Sequence, residues 1–206
     1  MHISEGALSV PVLIVGTAGA FAGTAIGLKR LDYDRIPRVS VLCATFFVVS
    51  LIHWPVGVSS VHLVLNGLVG LLLGWASFPA ILVALFLQAV LFQFGGLTTL
   101  GVNTVTMAAP AVFCYYLFSA GARRTGAPFP AIFGFFSGAL AVFISALLVW
   151  AALVFTASGF EKPALAVVIV HIPVMVVEGI VTAIIVSFLR TARPEVLEVP
   201  YAKPQL

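Results

Sequence analysis

Seven apolar runs, almost free of charge and joined by short polar connections, restrict this chain to one kind of fold. They cover about residues 8–28, 39–54, 61–75, 80–94, 100–120, 128–157 and 164–189. A bilayer core offers no water to backbone N–H and C=O groups, so a segment that crosses it must satisfy them within itself, as a helix does. Apolar residues make up 62% of the 206 and charged residues 8%, against roughly 25% charge in a soluble domain. The spacing predicts an all-α polytopic membrane protein of seven transmembrane helices. It forms one membrane domain over 1–206, with a short N-terminal segment, 1–7, ahead of the first helix. The third run is short for a full crossing, and the sixth is long enough to tilt or protrude.

Charge sets the expected orientation. Lys29, Arg30, Arg35 and Arg38 follow the first run, Arg123 and Arg124 the fifth, and Arg190 and Arg193 the seventh. With these connections on the cytoplasmic side, nine of the ten Lys and Arg residues lie inside and only Lys162 outside. That agrees with the positive-inside rule and predicts the N-terminus outside and the C-terminus in the cytoplasm. The basic residues sit at segment ends, so the net charge of +3 gives no reason to expect nucleic acid as a partner. Cys43 and Cys114 lie inside apolar runs and read as small packing residues. No basic run precedes the first apolar stretch, and no cleavable signal peptide is expected.

Chemistry-bearing residues concentrate where the chain starts, Met1-His2-Ile3-Ser4-Glu5-Gly6. The α-amine of Met1, the backbone nitrogen of His2 and Nδ1 of His2 can close a five- and a six-membered chelate on one ion. Both rings are unstrained and share a plane. A planar all-nitrogen set suits Ni(II) or Cu(II), and one more imidazole completes four donors.

Three other histidines are predicted in the outer half of the bundle. His62 begins the third run after a flexible loop and is the candidate fourth nitrogen; a helix-start histidine bonded to loop carbonyls is the other reading. Asn66, four residues on, shares its face and is a candidate to orient the imidazole. His53, beside Trp54 and Pro55, ends the second run and reads as an interfacial residue. His171 and Glu178, seven residues apart, share a face of the seventh helix. An ionisable residue at that depth is a functional candidate, with a structural hydrogen bond as the plainer role. The loop Gly95-Gly96-Leu97-Thr98-Thr99-Leu100-Gly101-Val102-Asn103 is predicted to dip in and cap the site, with Asn103 and Met107 one turn apart behind it. Gly19, Gly23 and Gly27 recur every four residues in the first helix and predict a face for close helix contact.

These stretches together resemble the CbiM/NikM family, the metal-capturing membrane components of cobalt and nickel importers of the energy-coupling-factor type. The matching residues are Met1 to Gly6, Ser59-Ser60-Val61-His62, the loop from Gly95 to Asn103 with Met107, and His171-Ile172-Pro173 with Glu178-Gly179. The resemblance implies seven helices with the N-terminus threaded into an outward cavity. It implies Co²⁺ or Ni²⁺, as transported substrate, bound by the Met1 amine, the His2 amide nitrogen and imidazole, and His62. It implies a multi-pass protein of a prokaryotic plasma (inner) membrane. The implied partners are ATP-binding subunits, a coupling transmembrane subunit and a small accessory membrane subunit. The segment Leu63-Val64-Leu65-Asn66-Gly67 departs from the small, polar stretch of many relatives, which leaves the choice of metal open.

No Gly-x4-Gly-Lys-Ser/Thr loop occurs, so no ATPase is expected in this chain, and no catalytic residue or catalytic cofactor is expected. Three alternatives remain at this point. A haem-binding redox protein would use His53, His62 or His171 as axial ligands. A membrane hydrolase would use Ser59 or Ser60, and a vitamin-capturing importer component would not need Met1.

Overall fold

The computed structural model describes residues 2–51, 53–56, 59–126, 128–157 and 159–197, with 53–56 and 59–61 described in their backbone only. The described residues form seven α-helices: α1 (Val10–Lys29), α2 (Ile36–Val49), α3 (Asn66–Leu73), α4 (Ser77–Phe92), α5 (Leu100–Ala122), α6 (Phe129–Val154) and α7 (Glu161–Ala192). Between α2 and α3 lies an antiparallel hairpin, β1 (His53–Val56) and β2 (Ser59–His62).

This hairpin revises the expected boundaries. The second apolar run leaves the helix at Val49, and His53 and Trp54 belong to β1. Pro55 disfavours helix for the residue before it, and Gly57-Val58 between two valine-bearing runs is a hairpin signal. The third run is helical only over Asn66–Leu73, ending at Gly74 with φ 56°. At 1.5 Å per residue, α3 is about 12 Å long and α2 about 21 Å, both short of a bilayer core. Five stretches are long and apolar enough to cross: α1, 66–92, α5, α6 and α7. Seven full crossings are therefore more than helix length supports, although seven helices are present.

The 66–92 stretch is itself folded back. α3 follows α5, with Asn66 bonded to the Met107 carbonyl and Gly70 packed on Ala111. After a 3-10 turn over Gly74–Ala76, α4 returns, so that Gln88 lies beside the N-terminal segment. Close backbone approach at glycine makes this possible. A Cβ on Gly138 of α6 would lie 2.5 Å from the Glu178 carbonyl of α7, and one on Gly27 would lie 2.5 Å from the Trp75 carbonyl. The glycine face of α1 is used in two parts, Gly16 and Gly19 against α5, and Gly23 and Gly27 against Trp75, Phe78 and Pro79.

The two ends of the bundle differ in chemistry. At one end, Arg30 lies over the Trp75 ring and donates to the Tyr116 hydroxyl, to which Trp75 Nε1 also donates. Arg123 lies over Tyr115, and Arg38 donates to the carbonyls of Leu72 and Val196. The N-terminal segment occupies the opposite end. Cys43 and Cys114 are both unbridged.

Candidate metal site

The chain start runs into the protein. His2 and Ile3 are buried, and so is Leu8. A non-helical strand of chain needs partners for its peptide groups when it is buried. Asn103 of α5 supplies them for Ile3: its Oδ1 accepts from Ile3 N at 2.9 Å and its Nδ2 donates to Ile3 O at 3.1 Å. The Thr99 hydroxyl donates to the same carbonyl at 3.0 Å. Glu5 N donates to Gly95 O at 2.9 Å, and the Glu5 carboxylate accepts from Thr98 N at the start of α5, where the helix dipole favours an anion. The Glu5 side chain occupies the space a Cβ on Gly96 would take, and Gly95 has φ +75°. The predicted capping loop therefore acts as a clamp: its glycines leave room for the incoming segment, and Asn103 grips it.

This clamp sets His2 against His62. The rings stack with centroids 4.6 Å apart and planes 26° from parallel. Each ring has its proton assigned by a group of fixed character. Gln88 Nε2 donates to the Phe47 carbonyl at 3.0 Å and to the Ser50 hydroxyl. A carbonyl only accepts, so the Gln88 amide must face Phe47 and its Oε1 must face His2. The 2.9 Å contact from His2 Nε2 to Gln88 Oε1 is then a donation by His2. The proton sits on Nε2, and Nδ1 keeps the lone pair. For His62, Nδ1 lies 2.7 Å from the Leu63 carbonyl and so donates to it, leaving the lone pair on Nε2, which is buried without a hydrogen-bond partner. Burial holds the His62 pKa well below its usual 6.5, with like-charge repulsion from His2 and, more weakly, His171 adding to it.

Glu178 anchors the segment that carries His62. Its carboxylate accepts from the backbone N–H groups of Val64 and Leu65, at 2.9 and 3.0 Å from Leu65. Leu65 has φ 54° and offers no side-chain cap to α3, so a carboxylate from α7 serves the helix start instead. Of the two sequence readings of Glu178, the hydrogen bond is the one observed. Asn66 is turned away from His62: its amide donates to Ser145 Oγ at 2.8 Å and to Met107 O at 3.3 Å. The Leu63 carbonyl, not Asn66, orients the His62 imidazole. His53 lies directly across the hairpin from His62; its side chain lies outside the described residues, as does Met1. His171 is fully buried on α7, its Nδ1 donating to Val167 O at 2.7 Å.

Gln88, Thr99 and Ser50 were not singled out from sequence. Gln88 was the legible one, since a carboxamide inside an apolar run needs a buried partner. Among the described residues, no three His, Cys, Asp or Glu side chains converge to hold a metal ion.

The long apolar helices define a multi-pass membrane protein, with two buried, stacked imidazoles at the end opposite the arginines. Residues 2–196 match the CbiM family, described as the cobalt uptake substrate-specific transmembrane region, and the chain belongs to that family. A Haemophilus influenzae protein named for metal transport is 41% identical, over 96% of this chain and 97% of its own. The cobalt transport protein CbiM of Sorangium cellulosum is 32% identical over 96% and 95%. A fused nickel transport protein NikMN of Archaeoglobus fulgidus is 31% identical, over 96% of this chain and 68% of its own. A crystal structure described as a transition metal transporter superposes with TM-score 0.74 at 26% identity, covering 93% of each chain.

Proposed function

We infer that this protein captures Co²⁺ or Ni²⁺ as the substrate-binding membrane component of an energy-coupling-factor importer. The Met1 amine, the His2 amide nitrogen, His2 Nδ1 and His62 Nε2 are its four donors. The observation that carries this reading is the pair of tautomers: Gln88 leaves the lone pair of His2 on Nδ1, and Leu63 leaves that of His62 on Nε2. Nδ1 is the nitrogen that closes a six-membered chelate with the His2 amide, whereas Nε2 of the same ring cannot reach. A buried, neutral His62 is ready to ligate without first losing a proton. Relatives named for cobalt and for nickel frame the choice of substrate, and a planar nitrogen set accommodates both ions.

The His2–His62 end faces outward in this reading, because the aromatic-backed arginines occupy the other end, where the positive-inside rule places the cytoplasm. ATP-binding subunits, a coupling membrane subunit and a small accessory membrane subunit supply energy and release. Asn103, Thr99 and Gln88 position the chelate, and Glu178 positions His62.

The test is calorimetry with Co²⁺ and Ni²⁺ on the full chain with a native start and with a Gly-Ser extension before Met1. The extension should abolish tight binding. Equal affinity in the two forms overturns the chelate.

A further inference from the structure

His171 repeats the chemistry of His62 on a neighbouring element. Both rings are buried, both give Nδ1–H to a carbonyl of their own segment at 2.7 Å, and both keep an Nε2 with no hydrogen-bond partner. A buried acceptor without a partner is uncommon and calls for an occupant. Their two segments are tied together. Glu178 ties the chain two residues after His62 to α7, and His171 lies seven residues before Glu178 on that helix. Two extended residues and two helical turns rise by about 7 and about 10 Å, which brings the rings to similar depth. Yet no three of these side chains converge on one point, so His171 is not a further member of the first donor set. Along the same α7 face, Glu178 and Thr182 are also fully buried, and Thr182 Oγ1 has no partner. Polar atoms thus continue from His171 toward the basic end of the bundle.

We propose that His62 and His171 form a second, handover site, in which the two Nε2 atoms hold a late divalent cation as it leaves the N-terminal chelate. This inference rests on the capture reading. His62 belongs to both sites, so the ion is never without a nitrogen ligand during the transfer.

The test uses the full chain carrying the Gly-Ser extension, which disables the chelate but leaves both imidazoles. Calorimetry with Co²⁺ should show residual binding weaker than that of the native start by a hundredfold or more, and H171Q in the extended chain should weaken it by a further tenfold or more. Cu²⁺ bound to the extended chain carrying H2A and H53A, which removes the other two imidazoles near His62, should show two coupled imidazoles by pulsed EPR, a count that decides the matter even when H171Q does not fold. No residual binding, residual binding unchanged by H171Q, or a single coupled imidazole overturns the handover site. Failure of the capture reading looks different: the extended chain would then bind as tightly as the native one.

Discussion

Gln88 Oε1 lies 2.9 Å from His2 Nε2, and this contact between the fourth helix and the second residue decides which nitrogen of His2 carries its proton. The amide cannot flip without setting its NH₂ against the His2 ring and its oxygen against the Phe47 carbonyl. A glutamine deep in a hydrophobic helix thereby controls the protonation pattern of a ring 86 residues away.

Replacing Gln88 by leucine should cost metal affinity more than stability. The His2 ring then loses the acceptor that holds its proton on Nε2, and both tautomers become populated. Calorimetry should show Co²⁺ and Ni²⁺ affinity falling by about tenfold, roughly 1.4 kcal/mol. Unchanged affinity would show that the tautomer is set elsewhere.

Asn103→Leu removes both hydrogen bonds to the Ile3 peptide and leaves its buried N–H without a partner. A cost of about 1–3 kcal/mol per unsatisfied group is expected. The loss should appear as faster amide exchange at Ile3 and Glu5 and as weaker metal binding. Asn103→Asp keeps the acceptor for Ile3 N and should fall between the two.

Glu178→Ala strips the acceptor from two buried amides, Val64 and Leu65. The thermal midpoint should drop by several degrees, and metal affinity should fall with it because the His62 segment loses its anchor. Glu178→Gln retains an acceptor oxygen and should recover most of the midpoint. A variant with the wild-type midpoint would remove Glu178 from its capping role.

The depressed pKa of His62 gives stability a definite slope with pH. Below about 6.5 the unfolded chain protonates this ring and the folded chain resists doing so. The unfolded state therefore binds more protons, and folding stability falls as pH drops from 6.5 toward the folded value, by up to about 1.4 kcal/mol per pH unit. Midpoints measured between pH 7.5 and 5.5 should decline, and His62→Ala should flatten the decline.

The seven helices were readable from the apolar runs because every buried helix in lipid must be built from such a run. Their lengths were not. Apolar residues suit a hairpin as readily as a helix, so the run through Trp54 concealed β1 at His53–Val56, and the run from Val61 concealed the end of β2. His2 and His62 were legible as candidate metal ligands because their chemistry is local, a chelate geometry and a histidine beside a loop. Asn66 was misjudged because helical spacing placed it on the same side as His62, while the opening of α3 turned it to Ser145.

The sequence by itself determined a chain that must live in a membrane as helices, with nitrogen donors gathered at its start and its positive charge in a few connections. Only the tertiary structure decided how the two imidazoles are held. Gln88, 86 positions from His2, fixes the proton on that ring, while Asn103 and Glu178, 100 and 114 positions from their partners, hold the segments that carry His2 and His62; these bonds exist only once α4, α5 and α7 are packed around the N-terminal segment.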